Sequence, residues 1–209
     1  MRSVRCKRAI AWCGVLLAVA LPARPASPMT EDASPGTSLV GQLLVAAPDI
    51  GDPRFFHAVV LIVRHSKTGA FGIIVNRPAG EQTWASLLAA TGQTDADVQG
   101  SVRVFYGGPV QPWLGFVVHS AEYHRGQTVD IDGKVAMTSS PEILRDISRT
   151  QGPHKALVAF GYTGWRPGQL ESELDRHGWF TIPEDPKLVF DDDREKVWDE
   201  AKARETFPL

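Results

Sequence analysis

The chain has 209 residues, 43% hydrophobic and 22% charged, with a formal charge of −2. These values exclude a collagen-like or disordered polymer and fit about one globular domain. Both cysteines, Cys6 and Cys13, stand near the N-terminus, so the body offers no disulfide, no thiolate nucleophile and no cysteine metal ligand.

Arg2, Arg5, Lys7 and Arg8 precede an uncharged apolar run, Ile10 to Leu21. This is the form of a secretory signal, and the run is shorter than the roughly 20 residues that span a membrane. The expectation is a signal peptide over residues 1–26, ending at Ala23 or Ala26, although Leu21 and Arg24 stand where small residues are usual. The mature chain then lies in the periplasm or cell envelope, without a transmembrane segment. The alternative is translation from Met29 and a cytoplasmic protein. Cleavage removes five basic residues and no acid, so 22 Lys and Arg become 17 against 24 Asp and Glu, a formal charge of −7. An acidic body with no Lys/Arg run repels phosphate backbones and argues against a nucleic-acid partner.

Residues 27–38, rich in Ser, Pro, Thr and acid, read as a flexible linker, and the folded body is expected over 39–209. Gly41–Pro48 and Ala58–His65 read as buried strands. "SKTG" turns the chain into a third strand, Ala70–Asn76, making a hairpin that Pro78 ends. "TWASLLAATG" places Trp84, Leu87, Leu88 and Thr91 on one helical face, with Thr83 as N-cap and Gly92 past the end. Val102–Tyr106 and Gly115–Ser120 are further strands. "VDIDGKVAM" reads as two short strands about an Asp132-Gly133 type I′ turn. A helix follows, with Ser140 as N-cap, Pro141 at N1 and Gly152 beyond its end; Ser139 with Glu142 is a capping-box alternative. "KALVAFGY" is a buried strand ending near Tyr162. A helix over about Gly168–Arg176, a strand "WFTI", a last strand "KLVF" and an acid-led C-terminal helix complete the chain. Hairpins and helices without regular βαβ alternation argue for an α+β fold.

Chemistry-bearing residues cluster at strand ends. Gly161, Gly164 and Gly168 surround Trp165, and Pro167 fits a first helical turn. Strand, glycine turn and helix start can together bind an anion; the other reading is a structural turn, with Tyr162 and Trp165 in the core and Glu171 capping the helix. The spacing matches neither a P-loop nor a dinucleotide fingerprint. Gly107-Gly108-Pro109 is either a ligand-holding nest or a tight corner. Asn76 suits a turn, and Arg77 can grip a carboxylate, either Glu171 or Glu173 within the fold or one from a ligand. His65-Ser66 and His119-Ser120 end apolar strands; with Glu171 or Asp52 they would supply the groups of a hydrolase. No G-x-S-x-G elbow accompanies them, and neighbouring strand residues face opposite ways. The six histidines make no zinc pattern, and Asp191–Glu195 lacks the spacing of a calcium loop. No metal or cofactor is expected.

Asp52-Pro53, His65, Gly69-Ala70, Gly72, Asn76-Arg77-Pro78, Gly107-Gly108-Pro109, Gly161-Tyr162, Trp165 and Gly168-Gln169-Leu170-Glu171, in this order, resemble the YqgE/AlgH family over about Leu39 to Ala203. The resemblance implies one α+β domain with a mostly antiparallel, bifurcated, partly barrel-like sheet wrapped by helices. It implies no established reaction, only a regulatory label from one member's link to alginate production in bacteria. Arg64, Arg166 and His177-Gly178 depart from the family pattern, as does the leader, because members look cytoplasmic. The function expected is non-enzymatic binding or regulation, with a protein or small anionic ligand as partner. The expected surface comprises Asn76, Arg77, Gly107, Gly108, Pro109, Trp165, Gly168, Gln169 and Glu171. The alternatives are a hydrolase using His65 or His119 with Glu171, and a transcriptional regulator.

Overall fold

The computed structural model describes residues 38–205, apart from 94 and 96. The expected leader, and the expected linker except Ser38, lie outside the described residues. Among the described residues ten strands occur: β1 (Gln42–Ala46), β2 (Val59–Ser66), β3 (Gly69–Ile74), β4 (Pro78–Thr83), β5 (Ser101–Tyr106), β6 (Val110–Ser120), β7 (Thr128–Asp130), β8 (Val135–Thr138), β9 (Ala156–Trp165) and β10 (Trp179–Pro183). Five short helices accompany them: α1 (Trp84–Ala90), α2 (Glu142–Ser148), α3 (Gln169–Asp175), α4 (Pro186–Val189) and α5 (Val197–Lys202). A 3₁₀ turn, Pro53–Phe55, precedes β2. Among the described residues, no helix is long and apolar enough to cross a membrane.

The sheet runs β10-β1-β2-β3-β9-β6-β8-β7, curled and almost wholly antiparallel, as expected of a half-barrel α+β domain. It forks at β9. Val158, Ala159 and Phe160 pair in parallel with β5, while Thr163, Gly164 and Trp165 pair antiparallel with β3. Two strands thus share one edge of β9 in succession. Gly107 is the node: its N–H donates to Phe160 O at 2.8 Å, and its carbonyl accepts from Ile74 N–H at 2.9 Å. A Cβ on Gly107 would overlap Gly161 O, and one on Gly108 would overlap the Tyr162 backbone. Gly161 itself has φ +74°, where a side chain costs on the order of 1 kcal/mol.

Alternation along β1, β2 and β3 sends side chains to both faces. Leu43, Val45, Leu61, Ile73 and Val75 join Val197 and Trp198 of α5 in one core. Leu44, Val60, Ile62 and Ile74 join Leu170 of α3, Trp165 and Trp179 in a second. Helices α1 and α2 close a third over Val104, Val117 and Val158.

Local expectations fail where tertiary pairing or a cap overrides pattern. Strand β4, "PAGEQT", is exposed throughout and carries no strand signal; its ladder with β5 makes it a strand. Strand β9 runs on to Trp165 because β3 supplies its partner. Lys187–Val189 of "KLVF" fall in α4 and Phe190 is its C-cap, since the Asp185 side chain accepts from Lys187 N–H and Pro186 fits the first turn. The β7–β8 connection is longer than a two-residue turn: Ile131 N–H reaches Val135 O, and Asp132 Oδ1 accepts from both Lys134 and Val135 N–H. Thr83 does cap α1, with Gly92 at positive φ beyond it. Ser140 makes no cap on α2 and bonds the Glu142 carboxylate instead.

The fork predicts where glycine is required. Gly107→Ala or Gly161→Ala should destabilise by about 2 kcal/mol or more, since backbone must move. Gly51→Ala, with nothing within 4 Å of the added carbon, should stay within about 0.5 kcal/mol of the parent in denaturant titration.

Candidate functional site

The residues singled out from sequence separate into two groups at opposite ends of β3. Asn76, Arg77 and Gly107–Pro109 surround its exit. Trp165, Gly168, Gln169 and Glu171 lie at its start, where Ala70 pairs with Trp165. Asn76 stands six positions along the chain from Ala70, about 20 Å of extended backbone, while Gly108 lies against Tyr162 and Thr163, nearer the middle of the strand.

At the exit, Asn76 braces the loop before β2. Its Oδ1 accepts from Val59 N–H at 2.9 Å, and its Nδ2 donates to His57 O at 2.9 Å. Among the described residues the Arg77 guanidinium grips no carboxylate; it donates to the carbonyls of Arg54 and Phe56. Arg77's own carbonyl accepts from Tyr106 N–H, which ties this clamp to the fork. The loop it holds, Asp52–His57, is also braced internally by the Asp52–Arg54 ion pair. His57 is stacked between Phe56 and Trp198, with centroids 3.9 and 3.8 Å away. Phe56 remains 52% exposed.

At the start of β3, His65 Nε2 meets Glu171 Oε1 at 2.8 Å, and His65 Nδ1 accepts from Leu39 N–H at 3.1 Å. The ring therefore carries its proton on Nε2 and has no free nitrogen. Burial opposes ionisation of Glu171, but its own backbone N–H and the His65 ring hold its pKa below the usual glutamate value. The deeper fastener is Glu173. Its Oε2 accepts both the Trp165 and Trp179 indole N–H, each at 2.9 Å, and its Oε1 accepts from Gln169 Nε2. Gln169 also returns its Oε1 to Arg166 N–H, while Gly168, at φ +73°, starts the helix.

His119 is fully buried and meets no carboxylate. Its Nδ1–H donates to Ser120 O at 2.9 Å, and Nε2 accepts from the Thr138 hydroxyl at 2.8 Å. Burial lowers its pKa, so the ring stays neutral. Neither serine stands ready as a nucleophile: Ser66 closes a turn onto Thr68, and Ser120 bonds Glu122 and Lys155.

Sequence reasoning passed over the roles of Glu173, His57 and Glu184. Two buried tryptophans require acceptors for their indole N–H groups, which was a usable signal for Glu173. Glu184 has no local signal. Its side chain is fully buried against Asp132, from the β7–β8 loop, and Lys134 Nζ stands 3.9 Å away. Burial, then the bond and charge of Asp132, push its pKa up to about 8.

Two outcomes follow. Glu173→Ala should cost about 2–4 kcal/mol by stranding two indole donors, whereas Glu173→Gln, which keeps an acceptor, should cost less in the same unfolding measurement. Glu184 binds its proton more tightly folded than unfolded, so its contribution is full below pH 4.5 and is lost as pH rises towards 8. Stability of the parent relative to Glu184→Gln should fall across that window by up to about 1.4 kcal/mol per pH unit, as read by denaturant titrations at stepped pH.

The AlgH-like family model matches residues 43–208. A UPF0301 protein of Cereibacter sphaeroides is 43% identical over 161 residues, 77% of this chain and 88% of its own. One of Methylocella silvestris is 44% identical over 165 residues, 75% of this chain and 80% of its own. The solution structure of the AlgH protein from Pseudomonas aeruginosa superposes with a TM-score of 0.71 at 35% identity, covering 84% of this chain and 93% of that one. A crystal structure from Corynebacterium diphtheriae, at 22% identity and TM-score 0.60, shares the fold. With the family model matched over residues 43–208 and relatives 43–44% identical over most of both chains, this chain belongs to the AlgH-like family.

Proposed function

We propose that this chain is a non-enzymatic binding protein of the cell envelope, with a regulatory role, that recognises a protein partner through the Asp52–His57 loop. The observation that carries the reading is the clamp on that loop. Arg77 and Asn76 commit their side chains to its carbonyls, yet Phe56 stays 52% exposed at its tip. A loop fixed before binding loses little conformational freedom on binding, and aromatic side chains, Phe included, are enriched at protein–protein interfaces. Tyr106 N–H donates to the Arg77 carbonyl, and Gly107, Gly108 and Pro109 follow Tyr106 directly, packed against Gly161 and Tyr162. Trp165, Gly168, Gln169 and Glu171 form a separate region. The acidic balance of the body favours a protein or small ligand over DNA as partner. The envelope location rests on the basic and apolar N-terminal pattern.

A hydrolase is the second reading, favoured by the 2.8 Å bond between His65 and Glu171. Against it stand the Leu39 N–H bond that occupies the other ring nitrogen and the absence of a hydroxyl bonded to His65 among the described residues.

A photo-crosslinking residue at Phe56, in the native host, should give one discrete adduct, and one at exposed Glu81 on β4 should give none. Arg77→Ala should weaken the adduct while the fold persists. Equal adducts at both positions, or none at 56, would refute the loop as the surface. N-terminal sequencing after fractionation should find a start near Ser27 in the envelope; a start at Met29 in the cytoplasm removes the envelope assignment. Turnover that disappears in His65→Ala would establish the hydrolase instead.

A further inference from the structure

The chain enters β1 along the edge of β2, and one imidazole holds it there. Leu43 pairs with Leu61, and Gly41 N–H donates to Ile62 O at 3.0 Å. Further out, backbone pairing gives way to a side chain: Leu39 N–H donates to His65 Nδ1 at 3.1 Å. Leu39 also packs against the core that holds Leu44, Ile62 and Trp165. The other ring nitrogen, Nε2, donates to Glu171 Oε1 at 2.8 Å. This pair of bonds requires a neutral ring, because a protonated imidazole carries a hydrogen on both nitrogens and accepts at neither. Few charges face the ring. Helix α3 brings Glu171, whose side chain is 52% exposed. Strand β3 brings Gly69 and Ala70, which carry no charge. Arg64 turns to the opposite face of β2, over the Phe71 ring at 5.8 Å. Lys67 follows in the exposed turn, and the Arg166 backbone lies against Gly69. The His65 side chain keeps 13% of its surface in solvent, so a proton can reach it.

We infer that His65 is an acid-released latch on the N-terminal chain: protonation at Nδ1 detaches the Leu39 amide and frees the segment that enters β1. In the neutral ring, Nδ1 offers its lone pair to Leu39 N–H. Once Nδ1 takes a proton from solvent, two N–H groups face each other where one bond stood. Nothing is lost at Nε2, which goes on donating to Glu171, now as an ion pair. Glu171 therefore favours the proton that Leu39 excludes, and the switch exchanges one amide bond for one charge pair. Attachment and protonation are linked, so each opposes the other. Detachment uncovers the seat of Leu39 on the apolar core and the stretch of β2 edge beside His65. Histidine is the side chain that changes charge between about pH 5 and 8, which sets the range in which the latch is read.

The test is NMR spectroscopy of the isotope-labelled full chain from about pH 8 to about pH 5. At the upper end, the ring nitrogen shifts should place the proton on Nε2 and leave Nδ1 bare. Protection of the Leu39 amide against solvent exchange, corrected for the intrinsic rate at each pH, should fall about fivefold or more, the worth of one hydrogen bond. The fall should track protonation of the His65 ring in the same samples. The Val59 amide, held by the non-titrating Asn76 Oδ1, should keep its protection. His65→Gln should make Leu39 protection independent of pH. Glu171→Gln keeps an acceptor for Nε2 and removes the charge, so it should move the loss of protection to lower pH. A neutral ring protonated on Nδ1, or Leu39 protection that stays constant while the ring titrates, would overturn the inference. So would a loss that persists in His65→Gln, or one that Glu171→Gln does not shift.

Discussion

The fold depends on one point of contact between backbones. At Gly107, β5 stops following β9, and its last carbonyl is taken over by β3. The amide still serves β9 while the carbonyl serves β3, so the ladder remains satisfied through a change of partner. That solution requires the two chains to touch without side chains between them, which is why Gly107, Gly108 and Gly161 stand face to face. A sheet that forks here curls into a half-barrel instead of stacking flat, and each branch gains its own core. The β1–β3 branch buries side chains on both faces, while the β5–β6 branch is closed by α1 and α2.

The polar residues around this frame act mainly as fasteners between elements distant in sequence. Glu173 ties α3 to the tryptophans of β9 and β10. Glu171 joins α3 to β2 through His65, whose second nitrogen holds the chain entering β1. Arg77 and Asn76 fix the loop between β1 and β2. Tyr123 and Arg125 converge on the Asp146 carboxylate of α2. A carboxylate that accepts several buried donors exchanges its water for fixed partners and so orients helices that are too short to be stable alone. None of the described helices exceeds seven residues, so side-chain anchors of this kind decide where they lie.

Much of the fold was legible because the strands are apolar where both faces are covered. "LLVA" and "VVLIV" occupy central positions in the sheet and announce themselves. Strand β4 was not legible: "PAGEQT" has no alternation, and only the neighbouring β5 makes it extended. "KLVF" shows the reverse failure, where apolar β-formers yield to an Asp-Pro start. The glycines of the fork were legible as punctuation but not as mutual contacts, since Gly107 and Gly161 are distant in sequence. Glu184 was illegible for the same reason. Nothing in "WFTIPED" announces that its carboxyl is buried against Asp132.

The glycine turn after β9 shows why architecture and chemistry are hard to separate in such a chain. Its residues suit an anion-binding loop, but β9 continues through Gly161, at positive φ, and Gly164 to Trp165, so these two glycines belong to a strand and not to a loop. Gly161 permits the fork, and Gly168 alone starts the helix, with Gln169 folding back on Arg166 N–H. The same reasoning applies to the two His-Ser pairs. Alternation along a strand parts each histidine from its serine, and the turns that follow take up both hydroxyls. Among what the fold leaves exposed is Phe56, at the tip of a loop that Arg77 and Asn76 hold in place, a feature that arises only after the chain has closed on itself.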